Sequence, residues 1–516
     1  MNRERFLSEL DDTASPWDVL VIGGGATGLG TAVESAARGY RTLLVERADF
    51  ASATSSRSTK LVHGGVRYLR QGDVPLVRES LRERGRLLRN AAHLVRPLPF
   101  LIPSYRWWET SFYGIGLKLY DRLAGRLGIE HTRLVSREDA LERIATLNPQ
   151  ALRGGVLYFD AQFDDARLAL TLAQTVADKG GVALNYVSVT RLLRESGRIR
   201  GAMLRDGESG NEWEIRAKIV INATGIFTDD IRRMDDDACP PLMTVSQGIH
   251  LVLDRRFLPG TTALMIPSTV DGRVLFAIPW EDRVLLGTTD TPRPKPERDP
   301  HALPEEIEYL LEHAARYLSP APRREDVRSV FAGLRPLVSP GKQVRTARIS
   351  RSHYLTVSDS DLVTITGGKW TTYRQMAEDT VDRAAQVGGL PPKPSMTRDM
   401  PLHGHTDAPP ATPHLRVYGA AAAELEKLAT GTDADPLHGR LPWRGAEVRW
   451  AVRREMARTL EDVLARRTRV LFTDAAAATE MAPKVAAIMA EELGQDAAWQ
   501  ASQLDAFNQL ARHCRI

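Results

Sequence analysis

The chain has 516 residues, 43% of them apolar and 26% charged, a composition typical of a folded globular protein of roughly three structural units. Its 69 basic and 65 acidic residues leave a net charge of +4, which is too small to indicate binding to nucleic acid. Cys239 and Cys514 lie far apart in the sequence, so neither a disulfide framework nor a metal site is predicted. No apolar run of about 18 residues is present, so we expect no membrane-spanning helix.

The pattern of elements along the chain predicts three regions. Residues 1–17 are polar, lack the apolar core of a signal peptide and are expected to form a loose leader. Residues 18–46 predict a strand, a helix and a second strand, the opening of a Rossmann-like α/β domain. Between residues 248 and 290, alternating apolar and polar residues predict an antiparallel sheet within the region 18–396. Residues 397–516 are rich in Ala, Glu and Arg and predict a helical C-terminal domain, strand-like only near Val470.

The first glycine-rich turn has the spacing of a dinucleotide-binding loop. Gly23, Gly25 and Gly28 stand between the first strand and the helix, where backbone amides can hold a pyrophosphate. Glu46 ends the second strand, where a carboxylate can bind a ribose 2′-hydroxyl and disfavours the 2′-phosphate of NADP. The alternative is a tight turn without a ligand. The strand, the helix and the terminal acid together favour a dinucleotide.

Three further segments indicate which dinucleotide is bound. Residues 53–60 contribute several hydroxyls and one ammonium, although such a Ser/Thr cluster can also cap a helix. Two more glycine turns, at 222–225 and 367–369, follow predicted strands. A cofactor that contacts three separate turns is FAD, since NAD needs fewer of them. We predict non-covalent FAD, because no histidine or cysteine is evidently placed for a flavin linkage.

Five separated blocks carry a specific family resemblance. The run Ala53-Thr-Ser-Ser-Arg-Ser-Thr-Lys60 with Leu61-Val-His-Gly-Gly-Val-Arg-Tyr-Leu69 resembles the signature of the FAD-dependent, aerobic-type glycerol-3-phosphate dehydrogenases. The blocks 331–337 and 366–374 are similar to two later signatures of that family, and 163–168 and 287–290 match less specific stretches. The chain departs from the family at Gln247, where relatives carry a basic residue, and at Trp370, which replaces a leucine.

The resemblance implies a fold, a reaction and a location. The fold would be glycine-oxidase-like, with FAD-binding parts at 18–75, 150–240 and 340–390 and a substrate sheet at 241–339. The reaction would oxidise sn-glycerol 3-phosphate to dihydroxyacetone phosphate, with hydride passing from C2 to flavin N5 and electrons to a membrane quinone. The protein would be cytoplasmic and attached peripherally to the inner face of the cytoplasmic membrane. A homodimer stays open.

This reaction needs a base for the hydroxyl proton and cations for the dianionic phosphate. The candidates match substrate-site positions of the family, although most arginines are surface charges and a histidine in an apolar strand is often a core residue. The predicted catalytic residues are His250, Arg335 and Lys369, with the base not assigned among them. The predicted substrate-binding residues are Arg67, Tyr68, Arg273, Arg335 and Arg351, with Arg273 at the start of a strand. The predicted cofactor-binding residues are Gly23, Gly25, Gly28, Glu46, Thr54, Ser55, Ser56, Lys60, His63, Gly64, Gly65, Thr224, Gly225, Gly367, Gly368, Lys369 and Thr371.

Two questions stay open on the sequence. The segment 107–127 has apolar residues at helical spacing, including Trp107 and Phe112, flanked by basic residues. Such a helix suits either a lipid interface or the core of the protein.

The chain could also be an FAD-dependent oxidase of an amine or amino acid, which would not need a phosphate-binding cluster. A non-catalytic flavin-binding electron-relay protein would keep the glycine turns without a reason for His250 and the basic cluster.

Overall fold

The computed structural model describes residues 1–12, 14–66, 72–267, 273–339 and 353–516. The helices are α1 Arg3–Ser8, α2 Ala26–Ala37, α3 Val74–Asn90, α4 Glu109–Ala124, α5 Arg137–Arg143, α6 Asp165–Asp178, α7 Thr228–Asp235, α8 Pro304–Ala315, α9 Tyr373–Val387, α10 Pro413–Arg416, α11 Ala422–Glu426, α12 Gly445–Glu455, α13 Val470–Thr473, α14 Ala475–Leu493 and α15 Ala497–Arg512. The strands are β1 Trp17–Ile22, β2 Thr42–Val45, β3 Leu61–Val62, β4 Val95–Ser104, β5 Arg133–Val135, β6 Gly154–Phe163, β7 Val182–Leu184, β8 Val187–Glu195, β9 Arg198–Asp206, β10 Glu212–Asn222, β11 Met243–Asp254, β12 Ala263–Ile266, β13 Leu275–Trp280, β14 Arg283–Gly287, β15 Thr291–Arg293, β16 Val327–Val338, β17 His353–Val357, β18 Val363–Gly367, β19 Pro436–His438 and β20 Leu441–Arg444.

The first sheet is the expected Rossmann-like layer. Its strands run in the order β17-β18-β10-β1-β2-β7; the five strands from β18 to β7 pair in parallel, whereas β17 pairs with β18 in the antiparallel sense. Val19 and Val21 of β1 are fully buried, as expected for a parallel strand covered on both faces. Helices α2 and α9 pack closely, and a Cβ at Gly30 of α2 would lie 2.7 Å from the ring of Tyr373. Because β1, β10 and β18 are parallel neighbours, their carboxyl ends lie at the same edge of the sheet.

The second sheet is largely antiparallel and runs in the order β15-β11-β14-β13-β12-β4-β6-β3, with β16 paired to β11 and β5 to β6. Strands β3 to β6 lie outside the range 241–339 expected for this sheet. They join it because β4 pairs in parallel with β12, which links the early strands to the later ones. Arg273 precedes strand β13 by two residues and does not begin it.

The N-terminal residues correct the expectation of a loose leader. Residues 3–8 form helix α1, and Phe6 and Leu10 are buried in the core beneath the first sheet. Arg3 forms a buried ion pair of 2.5 Å with Asp206. This segment is polar overall, but its few apolar side chains face the protein because helix α1 docks beside β7.

The C-terminal domain is mainly helical, and its helices α12, α14 and α15 pack on an Ala-rich core. The segment near Val470 is the short helix α13 and not a strand, whereas β19 and β20 form a hairpin that the composition did not predict. Buried ion pairs fasten this domain to the cofactor domain: Arg467 contacts Asp49, and Arg167 contacts Glu455 at 2.7 Å. None of the helices in the described part of the chain combines the length and apolar composition that crossing a bilayer requires.

Candidate active site

The three glycine turns meet at one cleft of about 300 Å³, which we call the dinucleotide cleft. They converge because β1, β10 and β18 are parallel neighbours, so the turns that follow them lie at the same edge of the sheet. The cleft is lined by ten of the predicted cofactor residues: Gly23, Gly25, Glu46, Thr54, Ser55, Thr224, Gly225, Gly367, Gly368 and Lys369.

The glycines of the first turn have distinct structural roles. Gly23 has a φ of +114°, and a Cβ there would lie 2.6 Å from the carbonyl oxygen of Ala223. A Cβ at Gly28 would lie 1.9 Å from the carbonyl oxygen of Gly23, so Gly28 lets helix α2 pack against the turn. Gly25 precedes helix α2 without capping it by a side chain. The helix thus begins at the cleft, and its first turn, with Ala26 and Thr27, lines the space where an anion could bind.

Glu46 lies at the wall of the dinucleotide cleft, where β2 ends. Its carboxylate accepts hydrogen bonds from the amides of Gly24 at 2.7 Å and Ala48 at 2.9 Å. Burial raises the pKa of Glu46 above its usual range, while these two amides act in the opposite direction. Each carboxylate oxygen has a further lone pair, so a ribose hydroxyl could still donate to it.

Within the Ser/Thr segment, only some side chains reach the cleft. Thr54 and Ser55 line it, and the Ser55 hydroxyl accepts from the amide of Ala26 at 2.9 Å. Ser55 thereby caps the start of helix α2 from a distance, so the capping alternative describes part of its role. Ser56 is buried and is absent from the lining.

Lys60 corrects the expectation of an ammonium beside the cofactor phosphates. Its side chain is fully buried, and Nζ lies 2.7 Å from the carboxylate of Asp165 and donates to the carbonyl oxygens of Ser56 and Ser58. The contact with Asp165 turns the ammonium into the interior because a buried cation needs a counter-charge. Burial lowers the pKa of Lys60 to about 8. Lys60 thus holds the Ser/Thr segment in place through the carbonyl oxygens of Ser56 and Ser58.

Two adjoining cavities, of about 220 and 170 Å³, continue from the dinucleotide cleft, and we call them together the substrate chamber. The larger cavity shares Thr54, Gly368 and Lys369 with the cleft, and the two cavities share Thr59, His63 and Arg335. The predicted residues that line the chamber are Thr54, His63, Gly65, His250, Arg273, Arg335, Gly368, Lys369 and Thr371. The proposed catalytic residues His250, Arg335 and Lys369 therefore lie around one cavity.

His250 and Arg335 face the chamber from neighbouring strands. In the register of β11 and β16, Ser246 pairs with Arg335 and His250 with Phe331, so both side chains project from the same face of the sheet. Gly248 lies between them, and a Cβ there would come within 2.2 Å of the Arg335 guanidinium. Likewise, a Cβ at Gly287 would come within 2.3 Å of the His250 ring. Sequence reasoning did not assign either glycine to the site, although Gly287 belongs to the block 287–290 and Gly248 follows Gln247.

His250 is buried, and its Nε2 lies 2.9 Å from the hydroxyl of Thr59. Its ring stacks on Phe331, with 5.0 Å between centroids. Burial, reinforced by the charges of Lys60 and Arg335, lowers the pKa of His250 well below its usual value. The imidazole is therefore uncharged near neutral pH. Thr59, which the sequence analysis did not select, is the side chain that orients this ring.

Arg335 is held by polar partners from the strand turn after β14. Its Nη2 donates to the hydroxyl of Thr288 at 3.0 Å and to the carbonyl oxygen of Thr289 at 2.9 Å, and Nη1 lies 3.4 Å from Asp290. Arg273 lies in the neighbouring cavity, with its guanidinium 4.6 Å from the centroid of the Tyr309 ring. Lys369 contacts the hydroxyl of Ser80 at 3.3 Å.

Some predicted site residues lie elsewhere. Arg67, Tyr68 and Arg351 fall outside the described residues. Gly64 lines neither cavity, and its amide donates to the hydroxyl of Tyr120 at 2.7 Å. Trp370, noted only as a departure from the family, lines the cleft and donates from its indole to the carbonyl oxygen of Ser55 at 2.9 Å. Among the described residues, no group of three side chains is arranged to hold a metal ion.

Comparisons with known proteins agree with this geometry. The model of the FAD dependent oxidoreductase family matches residues 18–374, and a model of the C-terminal domain of alpha-glycerophosphate oxidase matches residues 358–500. The mitochondrial glycerol-3-phosphate dehydrogenase of Rattus norvegicus is 42% identical over 95% of this chain and 72% of its own length. The Homo sapiens enzyme is 40% identical, over 98% of this chain and 74% of its own length.

Solved structures extend the comparison to three dimensions. The glycerol-3-phosphate dehydrogenase of Bacillus halodurans, complexed with FAD, superposes with a TM-score of 0.80 at 29% identity, covering 99% of this chain and 97% of that one. L-alpha-glycerophosphate oxidase of Mycoplasma pneumoniae superposes with a TM-score of 0.57 at 16% identity, over 75% of this chain and 98% of that one, which shows a shared fold alone. The expected fold class is thereby confirmed. This chain belongs to the family of FAD-dependent glycerol-3-phosphate dehydrogenases.

Proposed function

We propose that this chain oxidises sn-glycerol 3-phosphate to dihydroxyacetone phosphate with bound FAD. The observation that carries the proposal is the substrate chamber, which adjoins the dinucleotide cleft and joins His250, Arg335 and Lys369 around one cavity. The membership of the family, whose relatives are named for this substrate, supports the same reaction. An oxidase of neutral amino acids would bind a single carboxylate and would not need the three basic residues Arg273, Arg335 and Lys369 around the chamber.

The dinucleotide cleft suits FAD. The N-terminus of helix α2, which begins at Gly25, would hold the pyrophosphate, and Glu46 would hold a ribose hydroxyl. The turns Thr224 to Gly225 and Gly367 to Lys369 would bound the flavin end. The cleft opens into the substrate chamber at Gly368 and Lys369, so one extended cofactor can reach both. Bound FAD supplies the flavin N5 that takes up the hydrogen of C2 as hydride.

We assign phosphate binding to Arg335 and Arg273, whose guanidinium groups line the same cavity. Arg335 approaches that cavity already oriented by Thr288 and Thr289. The C2 hydroxyl must lose a proton as its C–H bond breaks. We assign its acceptance to His250, because an uncharged imidazole keeps one nitrogen lone pair near neutral pH. Lys369, which lines the same cavity, is the alternative base.

An anaerobic titration tests this reaction against its competitors. The purified, FAD-loaded protein is mixed with sn-glycerol 3-phosphate or with glycine, and the visible absorbance of the flavin is followed. We expect bleaching with sn-glycerol 3-phosphate alone. Bleaching by glycine alone would favour an amine or amino-acid oxidase. A flavin that dithionite reduces but neither compound bleaches would favour an electron-relay protein.

We further propose that the protein attaches peripherally to the inner face of the cytoplasmic membrane through helix α4 and the residues before it. One face of this helix packs on the core through Leu117 and Tyr120. The other face carries large apolar side chains that are exposed to solvent: Trp107 is 81%, Ile115 74% and Phe112 53% exposed. A cluster of large exposed apolar residues is unusual on a soluble surface and suits the headgroup boundary of a bilayer.

Sedimentation with phospholipid vesicles tests the attachment. We expect Phe112→Glu and Ile115→Glu together to release the protein from vesicles that contain anionic phospholipid. Met396→Glu is a matched control, because Met396 is 60% exposed and belongs to the segment between helices α9 and α10. Equal binding of both variants would contradict this surface.

We propose a membrane quinone as the acceptor of the electrons, since such a surface brings the protein to the bilayer where quinones dissolve. Turnover with a short-chain quinone is compared with turnover under dioxygen alone. Faster turnover with dioxygen would contradict the quinone as acceptor.

A further inference from the structure

Behind the substrate chamber, a buried phenol contacts the turn formed by His63, Gly64 and Gly65, which we call the chamber turn. The hydroxyl of Tyr120 accepts a hydrogen bond from the amide of Gly64 at 2.7 Å. It lies 2.9 Å from both oxygens of Asp160, to which it donates. Burial raises the pKa of Tyr120 well above its usual value, so the hydroxyl keeps its proton.

The partners of Tyr120 are rigidly placed. Asp160 lies on strand β6 and pairs with Arg84 of helix α3 at 2.6 Å, and all three side chains are buried. Tyr120 itself is anchored by helix α4. The phenol is therefore fixed by two helices and a strand before it meets the chamber turn.

The chamber turn directly follows strand β3 and is neither helix nor strand. His63 and Gly65 line the substrate chamber, and the amide of His63 lies 3.3 Å from the hydroxyl of Thr371, beside the last glycine turn. A Cβ at Gly64 would lie 2.6 Å from the Tyr120 oxygen, so the backbone rests directly on the phenol. A shift of that oxygen moves the wall of the chamber.

We propose that Tyr120 is a positioning residue. Through its hydrogen bond with the amide of Gly64, it fixes the position of the chamber turn relative to the flavin and the substrate. This role rests on the proposed function. It differs from core packing, because Phe fills the same volume and loses only the hydroxyl. With Phe, the buried amide of Gly64 loses its acceptor at 2.7 Å and keeps only the carboxylate of Asp160, so the turn must move towards that carboxylate.

The test compares Tyr120→Phe with wild type in the FAD-loaded protein. Anaerobic stopped-flow mixing with sn-glycerol 3-phosphate gives the rate constant of reduction per bound flavin, which does not depend on the fraction of folded protein. We expect it to fall about tenfold or more at saturating substrate, because small misplacements at a reacting centre are costly. The visible circular dichroism of the oxidised flavin should change as well, without any substrate present.

Tyr418→Phe is the matched control. Tyr418 is also buried, its hydroxyl has no hydrogen-bond partner in the described residues, and it lies in the C-terminal domain. We expect neither readout to change in this variant. If the Tyr120→Phe protein does not accumulate, 3-fluorotyrosine at position 120 keeps the shape of the side chain and weakens its acceptance from Gly64, and the same two changes are expected.

A rate constant and a flavin spectrum equal to those of wild type would overturn the proposal and leave Tyr120 as a packing residue. If wild type itself is not reduced by sn-glycerol 3-phosphate, the proposed function fails, yet the flavin spectrum of Tyr120→Phe still tests the position of the turn.

Discussion

The ammonium of Lys60 lies 2.7 Å from the carboxylate of Asp165, and neither side chain is exposed to solvent. The same carboxylate pairs with Arg469 of the C-terminal domain at 2.9 Å. Asp165 thus fastens the hydroxyl-rich segment of the cofactor domain to the C-terminal domain. This shared contact makes the carboxylate more important for stability than either cation alone.

We predict that Asp165→Asn is strongly destabilising, by about 3–5 kcal/mol, because it removes the paired carboxylate of Lys60 and leaves Arg469 with only the more distant Asp164, at 3.7 Å. Lys60→Met is the matched variant, since it keeps the pair between Asp165 and Arg469 and should cost less. Thermal melting of both proteins at pH 7 gives the comparison. A melting temperature of Asp165→Asn equal to or above that of Lys60→Met would contradict this account.

We predict that the FAD is held without a covalent bond. In the sequence, no histidine or cysteine is evidently placed to form a covalent bond with the flavin, and Cys514 is buried in the C-terminal domain. Acid precipitation should therefore release the yellow colour into the supernatant. A pellet that stays yellow after washing would be evidence of a covalent flavin.

Glu46→Ala should weaken FAD retention and leave the far-ultraviolet circular dichroism close to that of wild type. The variant loses a ribose contact and the acceptor for the amides of Gly24 and Ala48. Glu46→Gln is the control, because its amide oxygen still accepts one of these hydrogen bonds, and it should retain FAD better than Glu46→Ala. Flavin content after gel filtration is the measurement, and full occupancy in Glu46→Ala would contradict the ribose assignment.

Arg335→Lys should not behave as a conservative substitution. An ammonium cannot reproduce the planar two-donor geometry of a guanidinium on a phosphate. Loss of a charge-assisted contact costs about 1.5–3 kcal/mol, on the order of ten- to a hundredfold in kcat/KM. We expect this loss with sn-glycerol 3-phosphate and little change with glycerol, which lacks the phosphate. An equal loss on both substrates would assign Arg335 to the flavin or the scaffold.

A pH dependence is expected at His353 of strand β17. Its ring lies 3.0 Å from Asp379, and this hydrogen bond raises the pKa of His353 above its usual value. A raised folded-state pKa stabilises the protein below the unfolded-state value of about 6.5, and the contribution is lost as the pH rises through the folded-state pKa. The melting temperature of wild type should therefore exceed that of His353→Gln at pH 5.5, and the difference should be smaller at pH 8.5. A difference that grows with pH would contradict this.

The sequence by itself determined the cofactor class and the order of the elements. Gly23, Gly25 and Gly28 lie between a buried strand and a helix, and that spacing reports a local backbone requirement that few other folds share. Glu46 follows at the end of the next strand for a similarly local reason. The later motifs around Arg335 and Lys369 were recognised by family resemblance. These features are readable because each depends on residues close together in the chain.

Only the tertiary structure decided which side chains face the cofactor and which face the core. Lys60 was expected beside the phosphates, yet it turns inward because its counter-charge, Asp165, is distant in sequence. The helix at 3–8 looked like a loose leader because its buried contact with Asp206 is equally distant. Tyr120 carried no motif at all. Pairing, burial and hydrogen bonding across long sequence separations depend on how the sheets pack, and no local pattern in the chain encodes that packing.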